Sequence, residues 1–377
     1  MVPKKLAVIA EEMSIGSAAQ QLLDRWLAGF PFGGTIHARA FDEVILHAPA
    51  GAWDGEVARR VTDFGLRTVP SATAAVEGSV AAAVIPAGSG VQPSGSLHEV
   101  LRCPSTEGRR CFVHGVLAED GAIARSAVNL ARSRNVTLFC GGALPFTWRL
   151  PPADVPHGAD VREVLIVAVG DADGAYLAAT DALLALAARR KGGEAGIRRI
   201  RTLEGKAVWK AGDEGEWSKK LLAAALSRSD TPQGNGAAES RPEELVESGL
   251  VSSLAREPAA CLFEHADGFR SSVLLLNGVV ADFNFACEVV KDGEKRFVSS
   301  QLYRPCAPAT HELSALAAAV NAFFGGGPPP WPPERSILHA GLLDVVRRAR
   351  TRPGDRIETG DLQVAFSVPE PSTFPAV

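Results

Sequence analysis

The run Leu6-Ala7-Val8-Ile9-Ala10 is the stretch that decides the fold class. Five consecutive apolar residues are typical of a strand that is buried on both faces of a parallel sheet. After a loop at residues 11–17, apolar residues recur at helical spacing: Ala18, Leu22, Leu23, Trp26 and Leu27. A buried strand followed by an amphipathic helix predicts a βα unit.

The same alternation continues to residue 150. Further short strands are predicted at residues 44–48, 67–69, 81–86, 110–114 and 136–140, with helices between them. Strands that alternate with helices in this way predict a parallel sheet with helices on both faces. We therefore expect a Rossmann-like, doubly wound α/β domain over residues 1–150.

The pattern changes in the second part of the chain, where strands follow one another without intervening helices. These strands are predicted at residues 260–265, 271–276, 279–290 and 295–303, with a last one at 362–366. Helices are predicted at residues 174–190, 214–227, 242–255, 310–324 and 334–350. Consecutive strands are typical of antiparallel pairing. The sequence therefore predicts an α+β domain with an open, mainly antiparallel sheet over residues 151–377.

Composition excludes several classes of protein. The 377 residues include 39 basic and 43 acidic side chains, with a net charge of −4 and no long like-charged block. Nucleic-acid binders usually show a basic excess or stripe, so we expect no nucleic-acid partner. The longest uncharged run, residues 78–98, is rich in Gly, Ser and Pro, so we expect no membrane partner either.

The six cysteines are scattered and form no C-x-x-C pair. This distribution argues against a zinc ribbon, a redox dithiol or a dense disulfide framework, and it fits a reducing compartment. The first apolar run is stopped by Glu11 and Glu12, which makes it too short for the core of a signal peptide. We expect a cytoplasmic protein.

In a doubly wound sheet, ligands bind beyond the carboxyl ends of the strands. A G-x-G-x-x-G loop there lets the backbone approach a pyrophosphate at a helix N-terminus. The loop after the first strand has a single glycine, Gly16, and its two carboxylates would repel a pyrophosphate. Ser14, Gly16 and Ser17 can still donate to a phosphate and are candidate cofactor-binding residues; the alternative for Gly16 is a simple turn residue.

Three more candidates follow later strands. His47 stands where a dinucleotide fold carries an acidic residue for the ribose, and Ala87 follows the strand at residues 81–86. His114 ends another strand and is the best single candidate for a general acid or base. A metal held by histidines, carboxylates and a thiol at these strand ends is an alternative, but no spacing requires it, so no metal is predicted.

The helix predicted at residues 174–190 offers Tyr176 and Asp181 as further catalytic candidates. At 3.6 residues per turn these two lie about 140° apart around the helix. Tyr176 and Thr180, four residues apart, share one face instead.

The order of elements and the run Val57-Ala58-Arg59-Arg60-Val61-Thr62-Asp63-Phe64-Gly65-Leu66 resemble the Gfo/Idh/MocA family of glucose–fructose oxidoreductases and inositol dehydrogenases. In that family a similar helix ends in Phe-Gly-Val/Ile before the next strand. Residues 71–86 and the second domain are also similar to family members. The resemblance implies an oxidoreductase that uses NAD(P), binds a small polar metabolite in the cleft between its domains, and forms a homo-dimer or higher homo-oligomer.

The sequence departs from the family at its catalytic motifs. His114, Gly115 and Val116 stand where family members carry E-K-P, and the helix after Asp173 lacks the histidine of the family's D-x-x-x-H pattern. With the fingerprint glycines, three family features are missing, which leaves open whether the chain is an enzyme. The alternative is a pseudoenzyme, a non-catalytic relative that binds a ligand or a protein partner. A metal-dependent lyase or isomerase is a third interpretation.

Overall fold

The structure is a computed structural model that describes residues 4–49, 51, 54–87, 95–231, 245–291, 293–304 and 311–375. The chain divides into two compact units: residues 1–146 with 305–340, and residues 147–304 with 341–377. Among the described residues, no helix combines the length and the apolar character needed to span a bilayer.

Sixteen β-strands lie within these ranges, numbered here in chain order: β1 (Lys5–Ala10), β2 (Phe30–Phe32), β3 (Thr35–His37), β4 (Glu43–His47), β5 (Arg67–Thr68), β6 (Ala81–Ile85), β7 (Arg110–His114), β8 (Thr137–Gly141), β9 (Arg149–Leu150), β10 (Asp160–Ala168), β11 (Ile197–Glu204), β12 (Ala259–His265), β13 (Arg270–Leu275), β14 (Phe283–Lys291), β15 (Glu294–Leu302) and β16 (Arg356–Glu358). The α-helices are α1 (Ala18–Ala28), α2 (Asp54–Phe64), α3 (Ala72–Val76), α4 (Gly95–Arg102), α5 (Gly121–Ser133), α6 (Ala172–Ala187), α7 (Lys206–Asp213), α8 (Lys219–Leu226), α9 (Leu250–Leu254), α10 (His311–Phe324) and α11 (Pro333–Arg350).

The first unit is built on a six-stranded parallel sheet with the strand order β5-β4-β1-β6-β7-β8. From the central β1 the chain moves to β4 and β5 on one side and then crosses to β6, β7 and β8 on the other. This order confirms the predicted doubly wound fold and places its switch point between β1 and β6. Every residue of β6 is buried, and so are the last five of β1, because helices cover both faces of the sheet.

The unit boundaries differ from the predicted domains in two segments, the first of which is residues 147–150, which belong to the second unit. Residues 305–340, which the sequence assigned to the second domain, belong to the first unit. Helix α10 explains the difference because it packs on α1: the Trp26 indole N–H donates to the Asn321 side-chain oxygen at 3.0 Å. The chain therefore returns to its first unit after completing most of the second.

The second unit is built on an eight-stranded sheet with the order β16-β11-β12-β13-β10-β14-β15-β9. Only the β10/β13 pair is parallel among the described strands of this sheet, which confirms the mainly antiparallel prediction. Helix α6 packs on one face, against β10 and β13. The opposite face, called face A, carries Leu165, Leu262, Leu274 and Ala286 and packs on α7, α8 and α9 around Trp217.

Three predicted elements of the second unit differ from the structure, and one strand was not predicted. The described part of the helix predicted at residues 242–255 forms only the short α9. The strand predicted at residues 362–366 is replaced by β16, and only an isolated bridge joins Phe366 to Glu194. The helix predicted at 214–227 begins later, because the Ser218 side chain caps α8 by accepting the N–H of Leu221. Strand β11 was not predicted at all.

Charged side chains explain why β11 escaped prediction. Arg199 and Arg201 interrupt the apolar alternation that marks a strand. In the structure Arg199 pairs with Glu264 on the neighbouring β12 and Glu358 on β16, and Arg201 pairs with Glu216. The strand is thus specified by ion-pair partners that are distant in sequence.

Candidate functional site

The carboxyl edge of the first sheet brings the strand-end candidates together. Residue pairing aligns Ile9 with His47, and Ala10 with Ile85. His114 pairs with Gly141 at the same edge. The loops after β1, β4, β6 and β7 therefore leave the sheet from one side, where doubly wound folds bind their ligands.

Ser17 organises the loop between β1 and α1. It is the N-cap of α1, and its Oγ accepts the backbone N–H of Gln20 at 3.2 Å and that of Ser14 at 3.3 Å. Gly16 has a φ of +82°, and a Cβ at this position would meet nothing within 4 Å. The positive φ makes glycine favourable here, and the empty space beside it can admit a ligand atom.

Gln20 is a site residue that the sequence analysis missed. Its Oε1 accepts the Gly16 N–H at 2.8 Å, and its Nε2 donates to Asp24 at 2.7 Å. A neutral amide oxygen thus occupies a donor that a phosphate oxygen would use. Helix geometry still leaves the N–H groups of Ala18 and Ala19 without an intrahelical acceptor. The signal in the sequence was a glutamine four residues after the single glycine of the loop.

The two acidic residues of this loop, Glu11 and Glu12, make it less favourable for a phosphate. The Ser14 hydroxyl donates to Glu12 Oε1 at 3.0 Å, which takes one of the predicted phosphate donors. The Glu11 backbone N–H donates to the carbonyl of Ile85 at 3.1 Å and ties the loop to β6. A phosphate bound here would lie near negative charge, which weakens its binding.

His47 is half-buried at the end of β4, where its Nδ1 lies 3.3 Å from the carbonyl of Val69. Because a carbonyl only accepts hydrogen bonds, the proton sits on Nδ1 and Nε2 is the nitrogen that can face a ligand. Ala87 is exposed just after β6, and residues 88–94 lie outside the described ranges. Both positions flank the switch-point loop of Gly16.

His114 is half-buried at the end of β7, with its ring 6.5 Å from that of Phe112. It lies three strands from His47, a separation of about 14 Å at the usual strand spacing, so the two imidazoles cannot share a metal. Among the described residues, no three His, Cys, Asp or Glu side chains are arranged to hold a metal ion. A role of His114 in proton transfer stays a prediction.

Tyr176 and Asp181 lie in the interior of the second unit. Only 2% of Tyr176 and 1% of Asp181 is exposed, and burial raises the pKa of the Tyr176 hydroxyl well above its usual value. The Thr180 hydroxyl, predicted to share a helix face with Tyr176, donates to the Tyr176 carbonyl at 2.6 Å. The catalytic role of Tyr176 and Asp181 stays a prediction.

The loop before α1 offers a dinucleotide phosphate open space beside Gly16 and part of a donor set. The space beside Gly16 and the N–H groups of Ala18 and Ala19 suit an anion at a helix N-terminus. The N–H of Gly16 becomes a further donor once the Gln20 side chain moves away. The residues that would hold the phosphate are therefore Gly16, Ala18 and Ala19, because the Ser17 N–H already donates to the Ser14 carbonyl at 3.0 Å.

No protein-family model and no curated protein matches the sequence. Solved structures do match: GenD2 from gentamicin A biosynthesis in complex with NAD is 15% identical, with a TM-score of 0.56 over 96% of this chain and 97% of that chain. A putative myo-inositol dehydrogenase from Sinorhizobium meliloti 1021 is 11% identical, with a TM-score of 0.55 over 94% and 99%. Apo scyllo-inositol dehydrogenase from Lactobacillus casei is 10% identical, with a TM-score of 0.56 over 95% and 99%. At these identities the likeness shows a shared fold, which confirms the predicted resemblance at that level.

Proposed function

We propose that this chain is a divergent oxidoreductase of the Gfo/Idh/MocA type that binds NAD(P) at the carboxyl edge of its parallel sheet. One observation carries the proposal: the switch point between β1 and β6 presents the capped N-terminus of α1 with open space beside Gly16. Switch points of this kind are where doubly wound folds bind nucleotides. The likeness to GenD2, solved with NAD, supports the same ligand class.

Different residues of this chain would bind the nucleotide and transfer the proton. The N–H groups of Gly16, Ala18 and Ala19 would hold the pyrophosphate, since the Ser17 N–H donates to the Ser14 carbonyl at 3.0 Å, and His47 and Ala87 would flank the nucleotide from the neighbouring strand ends. A bound nicotinamide supplies hydride transfer. His114 would donate a proton to the oxygen of a small polar metabolite when its carbonyl is reduced, and accept that proton when the alcohol is oxidised. Tyr176 and Asp181 stay secondary candidates because they are buried.

The second candidate function is a non-catalytic relative that binds a ligand or a protein partner. The loop between β1 and α1 favours this alternative. Its Gly16 N–H and Ser14 hydroxyl, which could donate to a phosphate, already donate to the side chains of Gln20 and Glu12. The missing lysine at Gly115 and the missing histidine in α6 favour the same alternative.

Calorimetric titration with NADH and with NADPH separates the two functions. The oxidoreductase proposal predicts saturable binding of at least one nucleotide in the micromolar range. An absence of binding at millimolar concentration would contradict it and favour the non-catalytic alternative. Self-association as a homo-dimer or higher homo-oligomer and a cytoplasmic location also stay proposals, and multi-angle light scattering tests the first.

A further inference from the structure

The end of face A beyond Leu165 and Leu262 is charged. These two leucines lie in one cross-strand row and belong to the apolar cluster around Trp217. Two residues further along each strand, the next row consists of Glu358, Arg199, Glu264, Arg270 and Glu163, on β16, β11, β12, β13 and β10 in turn. Because side chains two residues apart on a strand point to the same face, charged groups replace the apolar ones here.

An open cleft of about 530 Å³ lies over this end of face A. Four arginines line it: Arg199, Arg201, Arg270 and Arg356. Three carboxylates line it as well, those of Glu163, Glu216 and Glu264. Between 25% and 56% of each arginine side chain is exposed, so a molecule from solvent can reach the guanidinium groups.

Three of these arginines converge on two consecutive residues of the loop between α7 and α8. Arg270 Nη1 donates to the Gly215 carbonyl at 2.9 Å, and Arg201 Nη1 donates to Glu216 Oε1 at 2.5 Å. Arg356 Nη2 lies 3.5 Å from the same Glu216 oxygen. The three side chains come from β13, β11 and β16, so separate strands bring positive charge to one place. Arg201, Arg270 and Arg356 are called the arginine trio.

The carboxylates of the cleft do not balance the arginine trio. Glu264 is engaged by Arg198 at 2.9 Å and Arg199 at 3.0 Å, which lie outside the trio. Glu163 accepts from Arg270 at 2.8 Å. Glu216 is therefore left for both Arg201 and Arg356, and the three positive charges of the trio face two negative ones.

Arg356 is the least satisfied member of the trio. Its contact with Glu216 is at the outer limit of a hydrogen bond, and within the described ranges its guanidinium has no other partner. A guanidinium carries five N–H donors. Arg356 therefore has donors to spare for a ligand, and 56% of its side chain is exposed.

We infer that the arginine trio binds the phosphate group of a small ligand, with the Glu216 carboxylate as a competitor built into the site. A phosphate group presents three acceptor oxygens around its phosphorus, so it can accept from guanidinium groups that approach from several strands. A carboxylate is planar and is matched by the fork of a single arginine. Free phosphate and a phosphate ester share this chemistry. The site lies within the second unit and does not depend on the proposed dinucleotide site.

Calorimetric titration at constant ionic strength tests the inference, with inorganic phosphate and glycerol 3-phosphate as probes and glycerol as the matched probe without phosphate. Wild-type protein is expected to bind at least one of the two phosphates saturably and to leave glycerol unbound. Arg356→Ala should weaken the binding about tenfold, the usual effect of losing a hydrogen bond to a charged group. Glu216→Gln keeps the shape of the side chain and removes its charge, so it should tighten the binding about fivefold.

Arg296→Ala is the matched control. Arg296 lies on β15 in the same unit, is 59% exposed and pairs with Glu294 at 3.2 Å. It therefore resembles Arg356 in charge and exposure, but it does not line the cleft. This variant should bind both phosphates like wild type.

Either of two results would overturn the inference: no saturable binding of either phosphate by wild-type protein, or wild-type affinity in Arg356→Ala. The second result would mean that phosphate binds elsewhere, for example at the N-terminus of α1. Unchanged or weaker binding in Glu216→Gln would contradict the role of Glu216 as a competitor.

The two probes also distinguish the source of the phosphate group. Binding of inorganic phosphate alone supports a site for free phosphate, and tighter binding of glycerol 3-phosphate supports a site for a phosphate ester. NAD(P)H titration of Arg356→Ala keeps the outcome separate from the proposed oxidoreductase function. Because no member of the arginine trio belongs to the proposed dinucleotide site, this variant should bind NAD(P)H with the wild-type affinity.

Discussion

The amide oxygen of Gln20, on α1, takes the Gly16 N–H that the phosphate of the proposed nucleotide would use. By accepting the Gly16 N–H at 2.8 Å, it competes with any phosphate for that donor. Its other end is held by Asp24, which in turn binds Arg60 at 2.5 Å. The Gln20 side chain is therefore held in place by its neighbours, and a bound phosphate would have to displace it.

Replacing Gln20 by alanine should tighten NAD(P)H binding. The change frees the Gly16 N–H, and a hydrogen bond to a charged phosphate should gain about tenfold in affinity. Gln20→Glu is the matched opposite, since a carboxylate keeps the acceptor and adds repulsion, so binding should weaken. Calorimetric titration measures both. Equal affinity in all three proteins would show that this loop does not face the nucleotide.

Calorimetric titration with NAD(P)H also tests whether the carboxylates of Glu11 and Glu12 weaken nucleotide binding. Glu11→Ser combined with Glu12→Gly removes two carboxylates and releases the Ser14 hydroxyl from Glu12. If like-charge repulsion limits the affinity, this double variant should also bind NAD(P)H more tightly, and more so at low ionic strength.

His114 carries the prediction on catalysis. If it is the general acid or base, His114→Ala should lower turnover at least about a hundredfold, the usual contribution of such a group. The melting temperature should change little because the side chain is only half-buried. Coupled oxidation of a polyol panel and thermal unfolding measure the two effects, with His98→Ala, a half-buried histidine on α4, as the control. A large fall in melting temperature would instead make His114 a packing partner of Phe112.

At the scale of elements, the sequence predicted those whose signal is local. Strand β7 matches its predicted bounds, and β1 differs by one residue, because each is an apolar run buried in a parallel sheet. Strand β11 was missed because its arginines are satisfied by partners 65 and 159 residues away in sequence. Among the described strands the short β16 pairs with β11 alone, so it could not be predicted without β11.

In the candidate site, too, the residues with a local sequence signal were predictable and those that depend on the folded backbone were not. The strand ends that carry His47 and His114 were predictable, because carboxyl ends of parallel strands share one edge. Gln20 was not, since its role depends on the positive φ of Gly16, which brings two residues of one turn into contact.

At the scale of the whole molecule, two units with separate sheets should unfold in more than one step. The second unit contains a buried charged group that makes its stability depend on pH. Glu194 is fully buried, with Oε1 2.7 Å from His265 Nδ1 and Oε2 3.2 Å from Arg190. Burial alone would raise the pKa of this carboxyl, but the attraction of His265 and Arg190 outweighs it and lowers the pKa to about 2.

This depressed pKa predicts acid lability of the second unit. Because the unfolded carboxyl has an ordinary pKa near 4.5, the ion pair contributes its full stability above that pH and loses it as the pH falls towards 2. The contribution at neutral pH is on the order of 3 kcal/mol. Glu194→Gln should therefore destabilise the second unit at pH 7, and its deficit relative to wild type should shrink as the pH falls to 3. Urea unfolding followed by circular dichroism at pH 7, 5 and 3 measures the free energy of unfolding of each protein.

Glu264→Gln is the control for the acid-lability prediction, because that carboxylate forms its ion pairs with Arg198 and Arg199 at the surface. Exposed pairs contribute about 0–1 kcal/mol, so this variant should stay close to wild type at every pH. A Glu194→Gln deficit that stays constant from pH 7 to pH 3 would mean that shape and hydrogen bonding, and not the charge of Glu194, stabilise this part of the core. A deficit that disappears with acid would identify the Glu194–His265–Arg190 cluster as the group that sets the lower pH limit of the second unit.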